Sequence, residues 1–284
     1  MSVPMLPDPA ALAAAIPDGA HVALPKGENP DPPVAVALEL VRRGAKNLHV
    51  TTVPTCAWPG AGLAIDILIG AGCVASVETS GISFSELGPA PRFTAAVKAG
   101  TLKVVDSTCP AVYAAVQAGA KGQPFCTLRG LIGSDLMTHR DDWAEIDNPF
   151  APGDRIAALK AINPDVALFH APKADRNGNV WVGRNRDLKV LAQASDRTLV
   201  TVEDIVDADF MADPELAAGT LPDFYIEAMV HAPGAAWPML ADGGCDIDGA
   251  RGYLSEAKTA EGFDAWIARA LAHGLPRPMQ EAAE

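Results

Sequence analysis

From about residue 20 onward the chain alternates short apolar runs with amphipathic stretches that stop at glycine. The runs "AHVALP" (20–25), "NLHVTTV" (47–53), "CVASVETS" (73–80) and "LKVVDST" (102–108) read as strands. Between them, "PPVAVALELVRRG" (32–44), "GLAIDILIGAG" (62–72), "APRFTAAVKAG" (90–100) and "PAVYAAVQAGAKG" (110–122) predict helices, several with proline near the first turn and glycine at the stop. A further short run, "PFCTL", covers 124–128. This cadence predicts βαβ units and a mainly parallel sheet.

The period breaks over 129–156, which is rich in Asp, Gly and Pro and predicts a long functional loop. It resumes with "DVALFHA" (165–171) and "NVWVG" (179–183), joined by a turn in which Asn-Gly suits a tight primed hairpin. A helix over 187–194, strands over 197–206 and 224–233, and a last amphipathic helix over 256–274 follow. With no repeat, low-complexity segment or clear linker, residues 1–284 are expected to form a single domain.

Composition then narrows the function classes. At 284 residues with 49% hydrophobic content the chain can bury a sizeable core. It contains no uninterrupted apolar run of about 18 residues and no signal-peptide start, so a soluble, cytoplasmic protein without membrane contact is expected. The net charge of −13, with no basic cluster beyond Arg42-Arg43, argues against nucleic acid. It still allows a local anion site. Five scattered cysteines without a C-x-x-C pair read as reduced core residues. No metal site is expected, because Asp141-Asp142 and Glu203-Asp204 are adjacent pairs and neighbours on a strand point to opposite faces.

In an open parallel sheet, ligands sit outside the carboxyl ends of the strands. The residues there are Lys26 and Gly27; Thr55 and Cys56; Glu78, Thr79, Ser80 and Gly81; and Asp106, Ser107 and Thr108. Small, hydroxylated or charged, they suit contacts to a carboxylate or a thioester carbonyl, although Ser and Thr after strands also cap helices. Glu78 is the local candidate for a carboxylate nucleophile, with the alternative that it is an ion-pair partner. His170, at the end of an apolar run with no triad-like company, reads as a hydrogen-bonded core or edge residue. His139 beside the Asp pair reads as solvated loop, and His231 as packing for a Pro-Gly turn; the "GSD" at 133–135 could present N–H groups to a ligand or simply turn the chain.

Seven segments in order carry a resemblance: "DGAHVAL" (18–24), "AGAKGQPF" (118–125), "EIDNPFAPGD" (145–154), "PDVALFHAPKADRNGNVWV" (164–182), "TLVTVEDIV" (198–206), "VHAPGAAWP" (230–238) and "AKTAEGFDAW" (257–266). Together they resemble the A subunit of the family I coenzyme A-transferases, the glutaconate CoA-transferase group. The resemblance implies an open three-layer α/β/α sandwich. It also implies a B-type partner chain whose glutamate attacks an acyl-CoA, with a carboxylic acid as acceptor; coenzyme A is then a substrate, and no bound cofactor is expected. Two alternatives accompany it: an acyl-CoA (ring-opening) hydrolase of the same fold, and a non-catalytic CoA-binding or structural subunit. In hydrolase relatives an acid comes from near the fourth strand of the A-type chain, where this sequence has Asp106 slightly early and Cys109. The family's Gly-Gly-aromatic turn after the first strand is replaced here by Pro25-Lys26-Gly27, which removes one N–H and leaves Lys26 as a point charge.

Overall fold

The computed structural model describes residues 3–276. In chain order the elements are α1 (Pro9–Ala14), β1 (His21–Pro25), α2 (Val34–Arg42), β2 (Leu48–Val53), α3 (Pro59–Gly70), β3 (Val74–Thr79), α4 (Pro91–Ala99), β4 (Lys103–Asp106), α5 (Cys109–Ala120) and β5 (Phe125–Leu128). They continue with α6 (Leu136–His139), β6 (Trp143–Asp147), β7 (Arg155–Lys160), β8 (Val166–Asp175), β9 (Val180–Trp181), α7 (Asp187–Ala194) and β10 (Arg197–Val206). The last are α8 (Pro214–Ala217), β11 (Thr220–Leu221), β12 (Ala228–His231), α9 (Ile247–Glu256) and α10 (Ala260–His273).

Seven strands form a parallel sheet in the order β4-β3-β2-β1-β8-β10-β12. Only the β8–β9 and β9–β11 pairings of this sheet are antiparallel, at the extended end of β8. Strand side chains alternate between two cores. Val22, Leu24, Leu48 and Val50 pack with α1, α2, α3 and α10 on one face, and Ala23, Val53, Phe169 and Val200 pack with α5 and α7 on the other. The expected three-layer α/β/α sandwich with a mainly parallel sheet is therefore present. Helix α3 shows why both layers are tight: it is apolar nearly all round and buried along its length, between the sheet and α4.

Several expectations change. The stretch 129–156 is not a long loop: β6 and β7 join β5 in a separate antiparallel sheet, β5-β7-β6, packed on Ala111 of α5. Its strands bury only a few residues, Trp143 on β6 and Ile156, Ala157 and Leu159 on β7, too few to stand out as apolar runs. The expected strand over 224–233 is confined to Ala228–His231, because residues 223–225 form a short 3-10 turn after Pro222. The last helix, expected over 256–274, is α10 and begins at Ala260, where Thr259 caps the Gly262 N–H at 3.0 Å; α9 before it was not expected.

The 164–183 stretch does pair as an antiparallel β8–β9 hairpin. Its turn is not of the primed two-residue kind, since only Gly178 has positive φ, at 93°. Five residues, Asp175 to Asn179, lie between the paired Ala174 and Val180. They are organised by the buried Asp175 carboxylate, which accepts from the N–H groups of Asn177 and Asn179 at 2.9 Å each, the Asn179 side chain at 2.8 Å and the Phe210 N–H at 2.9 Å.

Candidate functional site

The sheet has a point where strand order reverses. From β1 the chain steps outward through β2, β3 and β4; from β8 it steps the other way through β10 to β12. β1 and β8 are neighbours but pair through Val22↔Val166 and Ala23↔Ala167 only, and beyond Ala167 the β8 strand runs on without β1. A crevice at such a switch point is where open α/β sheets place ligands.

Segment 26–33 lies in it. Asp31 takes the place that β1 has vacated: its carbonyl accepts the His170 N–H of β8 at 2.7 Å, and its side-chain Oδ2 accepts from Asn185 just before α7. Asp31 is 2% exposed, and its Oδ1 has no hydrogen-bond partner among the described residues. Burial raises its carboxyl well above the ordinary range, and the charges of Asp187 and Glu28 add to that, against the Asn185 hydrogen bond.

The sequence candidates fall into two sets. Lys26 is partly exposed and paired with Glu28 at 2.5 Å. Gly27 has φ of 83°, and a Cβ there would come within 2.5 Å of the Ala61 Cβ, so the loop rests directly on the start of α3. Thr55 and Ser80 are half-buried. Cys56 and Thr79 lie beneath the surface and tie strand ends together. The Cys56 N–H reaches the Gly81 carbonyl at 3.0 Å, and its thiol, pushed up by burial and by the nearby Asp31 charge, lies 3.5 Å from the Pro25 carbonyl oxygen. Thr79 Oγ1 accepts from Thr52 at 2.7 Å and from the Gly81 N–H at 3.0 Å. Ser80 donates to the Pro54 carbonyl at 2.8 Å and shares a 3.1 Å hydrogen bond with Cys109, which is exposed at the start of α5. Ser107 is buried, its hydroxyl without a partner among the described residues, and Thr108 caps α5.

Glu78 is held by a cation that the sequence did not single out. Arg140, 4% exposed, donates to Glu78 Oε1 at 2.8 Å, to both Asp142 oxygens at 2.7 and 2.8 Å and to the Asp106 carbonyl at 3.0 Å, and it lies over the Trp143 ring at 4.3 Å. Burial raises the Glu78 carboxyl and Arg140 pulls it back. This matches the ion-pair alternative, and the side chain is committed rather than free to attack.

His170 is also committed, with Nδ1 2.9 Å from Thr201 Oγ1 and Nε2 3.2 Å from Glu203, whose carboxylate accepts the Gly234 N–H at 2.8 Å. Glu203, not the exposed His231, therefore secures the Pro-Gly turn. The 133–135 stretch is a turn with Gly133 at φ of 79° and Ser134 bonded to the Leu131 carbonyl. Among the described residues no three His, Cys, Asp or Glu side chains are grouped to hold a metal ion, and no helix is long and apolar enough to cross a membrane.

Asp31, Arg140, Asn185 and Glu203 were missed as members of this region. A usable signal existed for one: Asp31 is an acid in a run of three prolines directly after a strand end.

The pattern of the family described as coenzyme A transferase matches residues 8–232. The chain belongs to that family. Among its relatives, the A subunit of 3-oxoadipate CoA-transferase from Pseudomonas knackmussii is 34% identical over 241 residues, covering 83% of this chain and 82% of the relative. The A subunit of glutaconate CoA-transferase from Acidaminococcus fermentans is 30% identical over 280 residues, covering 90% and 84%. The crystal structure of the glutaconate coenzyme A-transferase from that species superposes with a TM-score of 0.81 at 26% identity, over 93% of this chain and 87% of the other. The cholesterol ring-cleaving hydrolase IpdA subunit of Rhodococcus jostii is 27% identical over 253 residues, covering 84% and 82%. Within this transferase family the chain is similar to A subunits, and it is enzymatic in kind.

Proposed function

We propose that this chain is the A-type subunit of a cytoplasmic CoA-transferase, forming one domain and working with a B-type chain that supplies the reacting glutamate. The observation that carries the division of labour is the clamp on Glu78: the acid foreseen as a local nucleophile is bound to a buried arginine. A carboxylate so held loses nucleophilicity to the ion pair, so the attacking group is assigned to the partner.

In this reading the partner's carboxylate adds to the acyl-CoA thioester carbonyl and expels CoA thiolate, leaving an acyl anhydride. The thiolate attacks the glutamyl carbonyl of that anhydride, releasing the donor acid and forming a glutamyl-CoA thioester. The acceptor acid reverses the two steps, so thioester bonds made and broken balance and no water is consumed. This chain contributes the switch-point wall: the Lys26–Glu28 pair at its rim, Thr55, Ser80 and Gly81 as the near surface, and Gly27, Cys56, Thr79 and Ser107 as its support. Of the other readings, hydrolysis is weakened at the fourth strand, where Asp106 sits slightly early and the exposed Cys109 occupies the place of an acid.

Co-expression with a B-type chain tests the proposal. Stoichiometric transfer of CoA from an acyl-CoA to an added carboxylic acid is expected, with Glu78→Gln retaining turnover and the isolated A-type chain showing none. Free CoA accumulating regardless of acceptor would establish hydrolysis instead. Full turnover by the isolated chain, lost in Glu78→Gln, would refute the two-chain reading.

A further inference from the structure

The pieces of the switch-point crevice are joined through one residue that the chemistry above does not use. Asp31 links three elements at once: its own loop, β8 through the His170 N–H, and the residues before α7 through Asn185. The loop it anchors carries Lys26 and Gly27. Prolines 30, 32 and 33 stiffen the backbone on both sides, so movement of Asp31 carries its neighbours with it.

A carboxylate in this position is unusual. Among the described residues no cation is paired with it, and the acids that face it are Glu28 on its own loop and Asp187 at the start of α7. Lys26, the cation on the loop, is engaged with Glu28. From the end of β2 the buried Cys56 thiol is close enough to respond to its charge, and from β8 the His170 ring is turned to Thr201 and Glu203, offering Asp31 only its main-chain N–H. An ionised side chain here would be desolvated, like-charged with two neighbours and short of donors. A neutral acid needs one donor partner for its carbonyl oxygen and one acceptor for its hydroxyl, and Asn185 already supplies the donor to Oδ2.

We propose that Asp31 is a positioning residue which, as the neutral acid, latches the 26–33 loop onto β8 and α7 and so holds this chain's wall of the acyl-CoA crevice in its working shape. Ionisation releases the latch, because the new charge is repelled by Glu28 and Asp187 and is better solvated with the loop lifted. The direction of its raised carboxyl agrees with this. The inference rests on the transferase reading for its catalytic consequence but not for the latch itself.

Two readouts separate these. In the reconstituted two-chain enzyme, kcat/KM for an acyl-CoA should fall with rising pH along a one-proton limb. Asp31→Leu should lower kcat/KM at least tenfold at every pH, and Asp31→Asn, which supplies one acceptor and one donor without charge, should restore most of it and abolish the limb. Independently of any activity, hydrogen exchange at the His170 amide, taken as the ratio of native protein to Asp31→Asn at each pH, should rise at least tenfold towards alkaline pH. The latch is overturned if Asp31→Asn keeps the same alkaline limb, or if that exchange ratio stays flat while both proteins remain folded by circular dichroism. Should no acyl-CoA support transfer, the functional reading fails and the exchange ratio alone decides the latch.

Discussion

Replacing Arg140 by methionine removes a guanidinium while keeping an aliphatic stem over Trp143. Glu78, with its side chain 15% exposed, then loses the ion-pair partner it holds at 2.8 Å, and the Asp106 carbonyl loses a donor at 3.0 Å. Asp142 is a third exposed and recovers most of its hydration. Removing one partner of a buried pair costs about 3–5 kcal/mol, chiefly as the penalty of the charge left behind. In a chain of this size that lowers Tm by roughly 10 °C. The penalty has a pH signature. Burial already raises the Glu78 carboxyl, and losing Arg140 removes what pulls it back, so the folded-state value climbs further. A folded value above the unfolded one means stability present at acid pH and lost as pH rises through the folded value. The deficit of Arg140→Met should therefore shrink on acidification as Glu78 takes up a proton, and Arg140→Met/Glu78→Gln should recover about 2–3 kcal/mol at neutral pH. Urea unfolding of the four proteins of the cycle at about pH 5 and about pH 8 measures both effects. A deficit below about 1 kcal/mol, or one equal at the two pH values, would refute the clamp on which the proposed division of labour rests.

Two further outcomes follow from buried carboxylates. Asp175→Ala leaves four donors unmatched in the 175–179 turn and at Phe210, and should cost roughly 3–5 kcal/mol in denaturant unfolding while turnover per folded molecule persists; a stable but inactive variant would move the chemistry to this hairpin. Asp66 in α3 is fully buried, accepts from Tyr253 at 2.7 Å and from the Phe93 N–H at 2.7 Å, and is raised by desolvation to about 6. Its folded value exceeds the unfolded one, so its contribution is complete below about pH 4 and declines by about 3 kcal/mol as pH rises past 6; urea midpoints of the native protein relative to Asp66→Asn should show this slope, and a constant difference would refute it.

What the sequence disclosed and what it hid have one physical cause. A parallel strand buried on both faces, such as "AHVAL" or "DVALFHA", announces itself as a short apolar run whatever its neighbours are, because every residue must be apolar to sit between two helical layers. The small sheet lacks that signal, since "WAEID" and "RIAALK" bury only Trp143, Ile156, Ala157 and Leu159, and Glu145, Asp147 and Arg155 follow along the same face as Trp143 and Leu159. The strand-end residues were legible for the same reason as the strands: they are where the apolar run stops. Their partners were not. Nothing in "THRDDW" indicates that its arginine reaches Glu78 across 62 positions, and nothing local places Asp31 on His170.

The reversal of strand order is the decisive case. The neighbours β1 and β8 belong to opposite halves of the chain, and their contact is two residue pairs long. A strand with two equivalent apolar faces and no turn linking it to its partner carries no record of which strand lies beside it. The crevice exists because those two strands part after Ala23 and Ala167, and the loop that fills it must then satisfy the buried His170 N–H in place of the absent strand. Asp31 does so with its carbonyl, which any residue could supply; its buried carboxyl is not needed for that bond. An apolar side chain of similar size would fill the same space without the desolvation cost, so retaining an acid there has a physical rationale only if its proton or its charge is used.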